Sequence, residues 1–352
     1  MNNAFLHGHL DEEVYMTPPD GYTLAAPSQV CRLTLYVDDI LLTGNSAEEV
    51  AALKDYLHTL FTIKDLDFAK YFLGLELARS THGLLVTQQR YLSDILADVC
   101  MTDAKATSTP LPPGHKFSAD VGSLLADPAA YRCLVGRLLY LDFTRPDISF
   151  AVQQLSQFLQ HPRSSHWDAA LYVLRYLKGT SSLGLFFSSS NSLQPSVFTD
   201  ASWASCSDSC RSVTGFCVFL GSSLVSWKTK KQATVSRSSA EAEYRSMGSA
   251  VCELLWLSYL LRAFQVSYRT PVSFWCDNQA VIHITENPVF HERTKQLDID
   301  CHLVREQFKL GLILPSHIPG RDQLADLFTK SPSVSDFSRL FVKLGLAPQA
   351  PS

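Results

Sequence analysis

The run VFTDASWAS at residues 197–205 is apolar and β-prone, yet it holds an acidic residue, Asp200, in its interior. Two more β-prone runs follow directly, SVTGFCVFLG at 212–221 and SLVSWKTKKQATVS at 223–236. Because short polar or glycine-containing turns separate the three runs, we predict three consecutive strands. The polar stretch SSSNS at 188–192 lies just upstream and marks a boundary.

The pattern changes after the third run. Helical periodicity alternates with short apolar β-prone segments, which gives the overall order βββαβααβα. We therefore predict an α/β fold for this part of the chain. The further predicted elements are a helix at 239–263, a strand at 272–277, helical segments at 278–286 and 294–310, a strand at 312–319 and a helix that begins near Arg321.

Four acidic residues lie inside or directly against these apolar elements: Asp200, Glu243, Asp277 and Asp326. Taken singly, each has an ordinary explanation, such as a strand end, a helix N-terminus, a turn or a solvated helix face. Taken together, they favour a metal site, because magnesium prefers oxygen ligands and phosphodiester hydrolysis uses carboxylates around two ions about 4 Å apart. Glu241 is an alternative to Glu243. We prefer Glu243 because the apolar and small residues after it fit an inward helix face.

Four motifs carry a resemblance to a known family. FTDASWAS, SRSSAEAEY, FWCDNQAVI and SHIPGRDQLADLFTK resemble, in this order, the ribonuclease H module at the end of copia-type retrotransposon Pol polyproteins. The resemblance covers residues 195–331 and implies a ribonuclease H-like mixed five-stranded sheet with helices. It implies two Mg²⁺ ions as cofactor, with Mn²⁺ as the alternative, and the RNA strand of an RNA/DNA hybrid as substrate. The catalytic metal ligands that it implies are Asp200, Glu243, Asp277 and Asp326.

The loop before the last aspartate departs from the family. Many ribonucleases H carry a flexible histidine-containing loop there, whereas this chain has only Gly320, Arg321 and Asp322. His317 lies on the preceding strand, and we expect it to pack rather than to act in catalysis. Turnover is therefore expected to be slow or to depend on other groups.

Overall charge does not favour nucleic-acid binding. The formal net charge is -4 at pH 7, whereas a protein that binds nucleic acid through bulk charge is basic. A local basic patch is therefore needed, and an ordinary solvated strand edge is the alternative explanation for the same residues. The candidate nucleic-acid-binding residues are Lys228, Lys230, Lys231 and Arg237.

The first half of the chain resembles a reverse transcriptase. YVDD at 36–39 resembles the palm hairpin, and NNAFLHGHLDEEVYMTPPDGY at 2–22 and YFLGLEL at 71–77 fit the copia-type pattern. The stretches at 131–152 and 166–180 resemble the connection region of that family.

This half also lacks parts of the family pattern. The first catalytic aspartate of the family is expected just before NNAFLHG, and the segment expected between PPDGY and YVDD is missing. Polymerisation by two metals needs that first aspartate. We therefore expect Asp38 and Asp39 to be an unused carboxylate pair in a palm remnant without polymerase activity.

We predict four segments: a truncated reverse transcriptase palm remnant of α+β type at 1–110, a helical connection region at 111–190, the ribonuclease H-like domain at 195–331 and a frayed C-terminal tail at 332–352. The nine cysteines form no C-x-x-C pair, so reduced thiols in the cytoplasm or nucleus are expected. No apolar run is long enough to span a bilayer, and we expect neither a membrane partner nor a small-molecule cofactor. The sequence leaves the oligomeric state open.

Three functions are compatible with these patterns. The leading hypothesis is a magnesium-dependent endonuclease that cuts RNA in hybrids. The second is a degenerate transposon remnant without catalysis, or a module that binds nucleic acid without turnover. An integrase or resolvase shares the fold, but the motif order and the lack of a visible basic DNA-binding domain argue against it.

Overall fold

The computed structural model describes residues 31–36, 39–44, 46–61, 63–286 and 298–348. The chain divides into two units, Met1–Phe72 and Leu73–Ser352. None of the helices in the described part combines the length and the apolar character that crossing a membrane requires.

The first unit contains the predicted hairpin. Strand β1 (Cys31–Tyr36) pairs antiparallel with β2 (Asp39–Gly44). Helix α1 (Ala47–Leu60) follows, and the hydroxyl of Ser46 caps its first turn, as the preference for serine at this position predicts. The short strand β3 (Tyr71–Phe72) ends the unit.

The second unit begins with an antiparallel sheet and helices. β5 pairs antiparallel with both β4 and β6, and the Asp127 carboxylate caps α3. β6 is not among the predicted strands, because its five residues run directly into the polar SSSNS stretch. These elements are β4 (Leu75–Ser80), β5 (Gly83–Thr87), α2 (Gln89–Asp98), α3 (Pro128–Leu141), α4 (Ser149–Leu155), α5 (Ser164–Gly179) and β6 (Gly184–Ser188).

A mixed five-stranded sheet follows, which confirms the predicted α/β class. Its strand order is β11-β10-β7-β8-β9. The pairs β7–β8 and β8–β9 are antiparallel, and β10 is parallel to both β7 and β11. α6 packs on this sheet and buries Tyr244, Met247 and Leu254 against it. These elements are β7 (Pro195–Ser202), β8 (Val213–Leu220), β9 (Ser223–Lys231), α6 (Ser239–Ala263), β10 (Val272–Cys276), α7 (Gln279–Glu286), α8 (Asp298–Lys309) and β11 (Ile313–His317).

Two elements differ from the predictions. β9 ends at Lys231 rather than near Ser236, because the Gln232 side chain turns inward and its amide group donates hydrogen bonds to β8 and to α6. The segment after β11 forms two 3₁₀ helices, Gly320–Asp322 and Leu324–Phe328, rather than an α-helix.

The prediction of a frayed C-terminal tail is wrong for the residues that the structure describes. Helix α9 (Val334–Phe341) packs Phe337 and Leu340 into the interior, where they are 5% and 1% exposed. Strand β12 (Leu346–Ala347) then pairs antiparallel with β6. The apolar spacing of Phe337 and Leu340 is the sequence signal for this buried helix face.

One apolar core runs through most of the second unit. It includes buried side chains from Leu92 on α2 to Leu344, which follows α9, and it also takes in Phe219 on β8 and Phe328 beside the sheet. Residues on both sides of the predicted segment boundaries at 110 and 190 contribute to this core. The boundaries themselves remain predictions.

Candidate metal centre

Asp200 lies near the end of β7, in the middle of the mixed sheet, and is 4% exposed. The hydroxyl of Thr329 donates a hydrogen bond to its carboxylate. Its backbone carbonyl accepts a hydrogen bond from the Ser246 hydroxyl on α6 at 2.8 Å. The first contact orients the acidic side chain, and the second ties the backbone of β7 to α6.

Asp277 and Asp326 converge on Asp200. Asp277 comes directly after β10, and because β10 is parallel to β7 with Trp275 opposite Phe198, the two aspartates extend from the same edge of the sheet. Asp326 lies on the 3₁₀ helix Leu324–Phe328, which packs beside β7 and β8. A carboxylate oxygen of each of the three aspartates lies within 4.8 Å of the others.

Glu243 joins this group from the second turn of α6. One of its carboxylate oxygens lies within 4.8 Å of both an Asp277 oxygen and the Cys276 Sγ atom. Its Oε1 accepts a hydrogen bond from the Ala201 N–H at 3.2 Å. Its Oε2 is buried and has no hydrogen-bond partner among the described residues. We refer to Asp200, Glu243, Asp277 and Asp326 as the carboxylate cluster.

Glu241, the alternative to Glu243, is engaged elsewhere. Its Oε1 lies 2.7 Å from the Arg245 Nη2 atom, and its Oε2 accepts a hydrogen bond from the Arg237 N–H at 2.8 Å. Both contacts stabilise the start of α6. Glu241 is therefore engaged by Arg245 on its own helix and by the loop before that helix, whereas Glu243 faces the aspartates.

Like charges and burial act together on the carboxylate cluster. Burial, followed by the charges of Asp200 and Asp277, raises the pKa of Glu243 well above its ordinary value. Burial and the charge of Asp200 raise the pKa of Asp326 to about 7 and also raise the pKa of Asp277. Full ionisation of the cluster is therefore unfavourable unless a cation is present.

Lys330 supplies a cation beside this cluster, and the sequence reasoning missed it. Its Nζ atom lies 2.7 Å from Asp326 Oδ1, and its side chain is 47% exposed. Burial lowers the pKa of this ammonium group, but the charges of Asp200, Asp326 and Asp277 outweigh that effect and raise it. The four-residue spacing of Asp326 and Lys330 is the signal that would have identified this pair.

Buried polar contacts fix the segment that carries Asp326. The Gln323 side chain is fully buried, and it donates a hydrogen bond to the Thr199 carbonyl at 3.0 Å. Gly215, opposite Asp200 on β8, permits the close approach of this segment. A Cβ atom at Gly215 would lie 2.5 Å from Thr329 Cγ2 and 2.9 Å from Phe328 Cβ.

The four basic residues predicted to bind nucleic acid do not form one patch. Lys228 and Lys230 are exposed on one face of β9, an edge strand of its sheet. Lys231 follows on the opposite face, where its Nζ atom lies 4.0 Å from Cys206 Sγ. Arg237 is exposed in the loop before α6. The structure thus groups Lys228 with Lys230 and separates Lys231 from them.

The remaining candidate residues are Asp38, Asp39 and His317. Asp38 lies outside the described residues, and Asp39 begins β2 with a side chain that is also outside them. His317 is exposed at the end of β11, opposite Cys276, so the expectation that it packs is wrong.

The carboxylate cluster fits hard divalent cations. It offers carboxylate oxygens from four chain segments, one of them a buried oxygen without a hydrogen-bond partner among the described residues. Oxygen ligands are what Mg²⁺ and Mn²⁺ prefer. The buried Cys276 thiol is the exception in this donor set, and it accepts a hydrogen bond from the Asn278 N–H at 3.4 Å.

Comparison with known proteins identifies the family. The chain is 37% identical to the retrovirus-related Pol polyprotein from transposon RE1 of Arabidopsis thaliana, over its whole length. It is 34% identical to a transposon Ty5-1 protein of Saccharomyces cerevisiae, over 63% of this chain and 73% of that protein. The chain belongs to the copia-type retrotransposon Pol family. Within this Pol chain, residues 32–113 match the family described as reverse transcriptase (RNA-dependent DNA polymerase).

The Pol chain covers only part of the longer family members. It spans 27% of the RE1 polyprotein and 28% of its RE2 counterpart. The alignment to RE1 extends over 401 positions against the 352 residues of this chain, so it contains gaps on the side of this chain. Among solved structures, LC11-RNase H1, isolated from compost, aligns with 39% of the Pol chain and 93% of its own length, at 13% identity and a TM-score of 0.31.

Proposed function

We propose that this chain hydrolyses the RNA strand of RNA/DNA hybrids in a reaction that depends on divalent cations. The observation that carries the proposal is the convergence of four carboxylates from separate segments, one of them with a buried oxygen that has no partner among the described residues. Such an arrangement is costly for the folded chain alone, which favours a functional role.

The carboxylate cluster would hold two Mg²⁺ ions, with Mn²⁺ as the alternative. Bound ions supply Lewis-acid stabilisation of the attacking and leaving oxygens in phosphodiester hydrolysis. The chain itself orients the ligands: Thr329 fixes the Asp200 carboxylate, and the Ala201 N–H fixes one oxygen of Glu243. Lys330 places a positive charge beside Asp326, at the exposed side of the cluster.

The proposed substrate rests on family membership and on the local basic residues. The matched segment at 32–113 has the description of an RNA-dependent DNA polymerase, and the product of such a polymerase is an RNA/DNA hybrid. Lys228 and Lys230 are exposed on β9, and Arg237 is exposed in the loop before α6. They fit contacts to phosphates, which position a strand without reading its sequence.

A non-catalytic remnant is the second candidate, and the missing segment between PPDGY and YVDD favours it for the reverse transcriptase part of the chain. We propose that Asp38 and Asp39 take no part in polymerisation. The mixed sheet is a separate case, since the convergence of its four carboxylates supports a catalytic role there.

Hydrolysis of a labelled RNA/DNA hybrid by the full chain tests the proposal. We expect cleavage with Mg²⁺ and none with a chelator. Asp277→Asn should reduce the rate on the order of a hundredfold or more, because loss of outer-shell contacts alone costs 10- to 100-fold. Asp322→Asn is the matched control, since Asp322 is a neighbouring carboxylate that pairs with Lys343 outside the cluster. A folded parent chain that leaves the hybrid intact would contradict the proposal.

A further inference from the structure

Trp203 is an exposed aromatic residue next to the carboxylate cluster. It is 51% exposed, and it directly follows β7, three residues after Asp200. The Cα atoms of Asp200 and Trp203 lie at most about 10 Å apart, because three residues of chain cannot span more. That distance corresponds to roughly three base steps of a bound strand, at about 3.4 Å each.

The Trp203 ring is held in this exposed position. Its indole N–H donates a hydrogen bond to the Ser236 carbonyl at 2.9 Å. The next residue, Ala204, has a φ of 50°, a left-handed conformation that is unfavourable for alanine. The Ala204 N–H is bound to the Ser212 hydroxyl at 3.1 Å. The ring is therefore presented to solvent by a defined backbone rather than by a loose loop.

The loop that receives the indole N–H is anchored as well. The buried Ser236 hydroxyl donates to Gln232 Oε1 at 2.8 Å, and Gln232 Nε2 donates to the Ala242 carbonyl at 2.9 Å. The Arg245 guanidinium donates to the Thr234 carbonyl at 3.1 Å. This frame ties the loop to the turn of α6 that carries Glu243.

The same loop exposes an apolar and a basic side chain. Val235 is 52% exposed. Arg237 is exposed, and its guanidinium forms no hydrogen bond or ion pair with the described residues. We call Trp203, Val235 and Arg237 the Trp203 corner. Its flat ring and its cation match the sugar and the phosphate of a nucleic-acid backbone, which proteins contact without reading the sequence.

We propose that the Trp203 ring packs against a sugar of the nucleic-acid strand whose phosphate lies at the carboxylate cluster, while Arg237 contacts a phosphate of the same strand. The inference rests on the proposed function, because it takes the hybrid as the ligand. Trp203 is then a substrate-contacting residue, and Gln232 and Ser236 are positioning residues that act through it.

Hybrid binding and cleavage by the full chain test this inference. Binding of a fluorescently labelled RNA/DNA hybrid is measured in the Asp277→Asn background, and cleavage is measured in the parent background. Trp203→Ala should weaken binding and raise KM about tenfold, the scale of one lost aromatic contact, with kcat little changed. Trp203→Phe keeps a flat ring and should restore most of the affinity, which a purely structural role of the indole N–H would not allow.

Trp256→Ala is the matched control. Trp256 is 43% exposed on α6, about 20 Å along the helix from Glu243, and its loss should leave binding unchanged. Thermal melting identifies any variant that fails to fold. If Trp203→Ala binds the hybrid as tightly as its parent does, the inference is overturned. The same result is expected if the ring binds a protein partner instead of the hybrid. A parent that binds the hybrid but does not cut it contradicts the proposed function and leaves the Trp203 contact standing.

Discussion

Among single residues, Asp326 makes the stability of the folded protein depend on pH. Burial and the charge of Asp200 raise its pKa from 3.8 to about 7. Between these values the folded chain holds a proton that the unfolded chain has released, so the stability of the metal-free protein falls as pH rises through this window. A divalent cation competes with that proton. We therefore expect Mg²⁺ to raise the melting temperature more at about pH 8 than at about pH 5.5, and a pH-independent effect of Mg²⁺ would contradict this.

Lys330 places a positive charge beside Asp326 and so offsets part of the negative charge of the carboxylate cluster. Lys330→Met should lower the free energy of unfolding by about 1 kcal/mol without metal, a small value because the ammonium group is half exposed. Added Mg²⁺ should reduce the difference, since the ions then supply the positive charge. Urea unfolding with and without Mg²⁺ measures both effects.

Lys343→Met is the control for this experiment, because Lys343 pairs with Asp322 at the surface and away from the cluster. It should leave the unfolding midpoint unchanged under both conditions. A Lys330→Met variant that is as stable as its parent without metal would show that the charge of Lys330 does not matter to the cluster.

Among the elements, the contact between β8 and the 3₁₀ helix at 324–328 depends on Gly215. A Cβ atom there would collide with Thr329 and Phe328 and push Asp326 away from Asp200. Gly215→Ala should therefore cost about 1–3 kcal/mol of stability and abolish hybrid cleavage. Gly136→Ala on α3 is the matched control, because a Cβ there meets nothing within 4 Å. That change should leave the protein as stable or slightly more stable.

The sequence predicted the strands of the mixed sheet and the full extent of α6, because alternation and helical periodicity are local signals. It did not predict β6, whose pairing with β5 joins residues far apart in the chain, or α9, where one apolar pair was too short a signal without the core that covers it. The same difference between local signals and distant contacts decides which parts of the carboxylate cluster could be predicted. Residue type and motif order identified its four members, whereas the Thr329 and Lys330 contacts depend on how the last segment packs against β7 and β8.

In the whole molecule, the shared core makes the C-terminal helix part of the second unit. Leu340→Ala should lower the free energy of unfolding by about 2–5 kcal/mol, the usual cost of truncating a buried leucine. Val342→Ala is the control, since Val342 is 79% exposed. Chemical unfolding of the two variants provides the comparison, and equal midpoints would mean that α9 is not bound to the core.

The SSSNS stretch between β6 and β7 has consequences for how a cut chain would behave. Its Ser189, Ser190 and Ser192 are exposed, so a protease that nicks the chain there meets little protection. Both sides of the nick contribute side chains to the same core, including Leu174 before it and Phe219 after it. The two halves should stay associated and elute together from a sizing column, separating only in denaturant. A fragment made to start at residue 195 would instead expose the apolar face that the missing half covers, and it should aggregate.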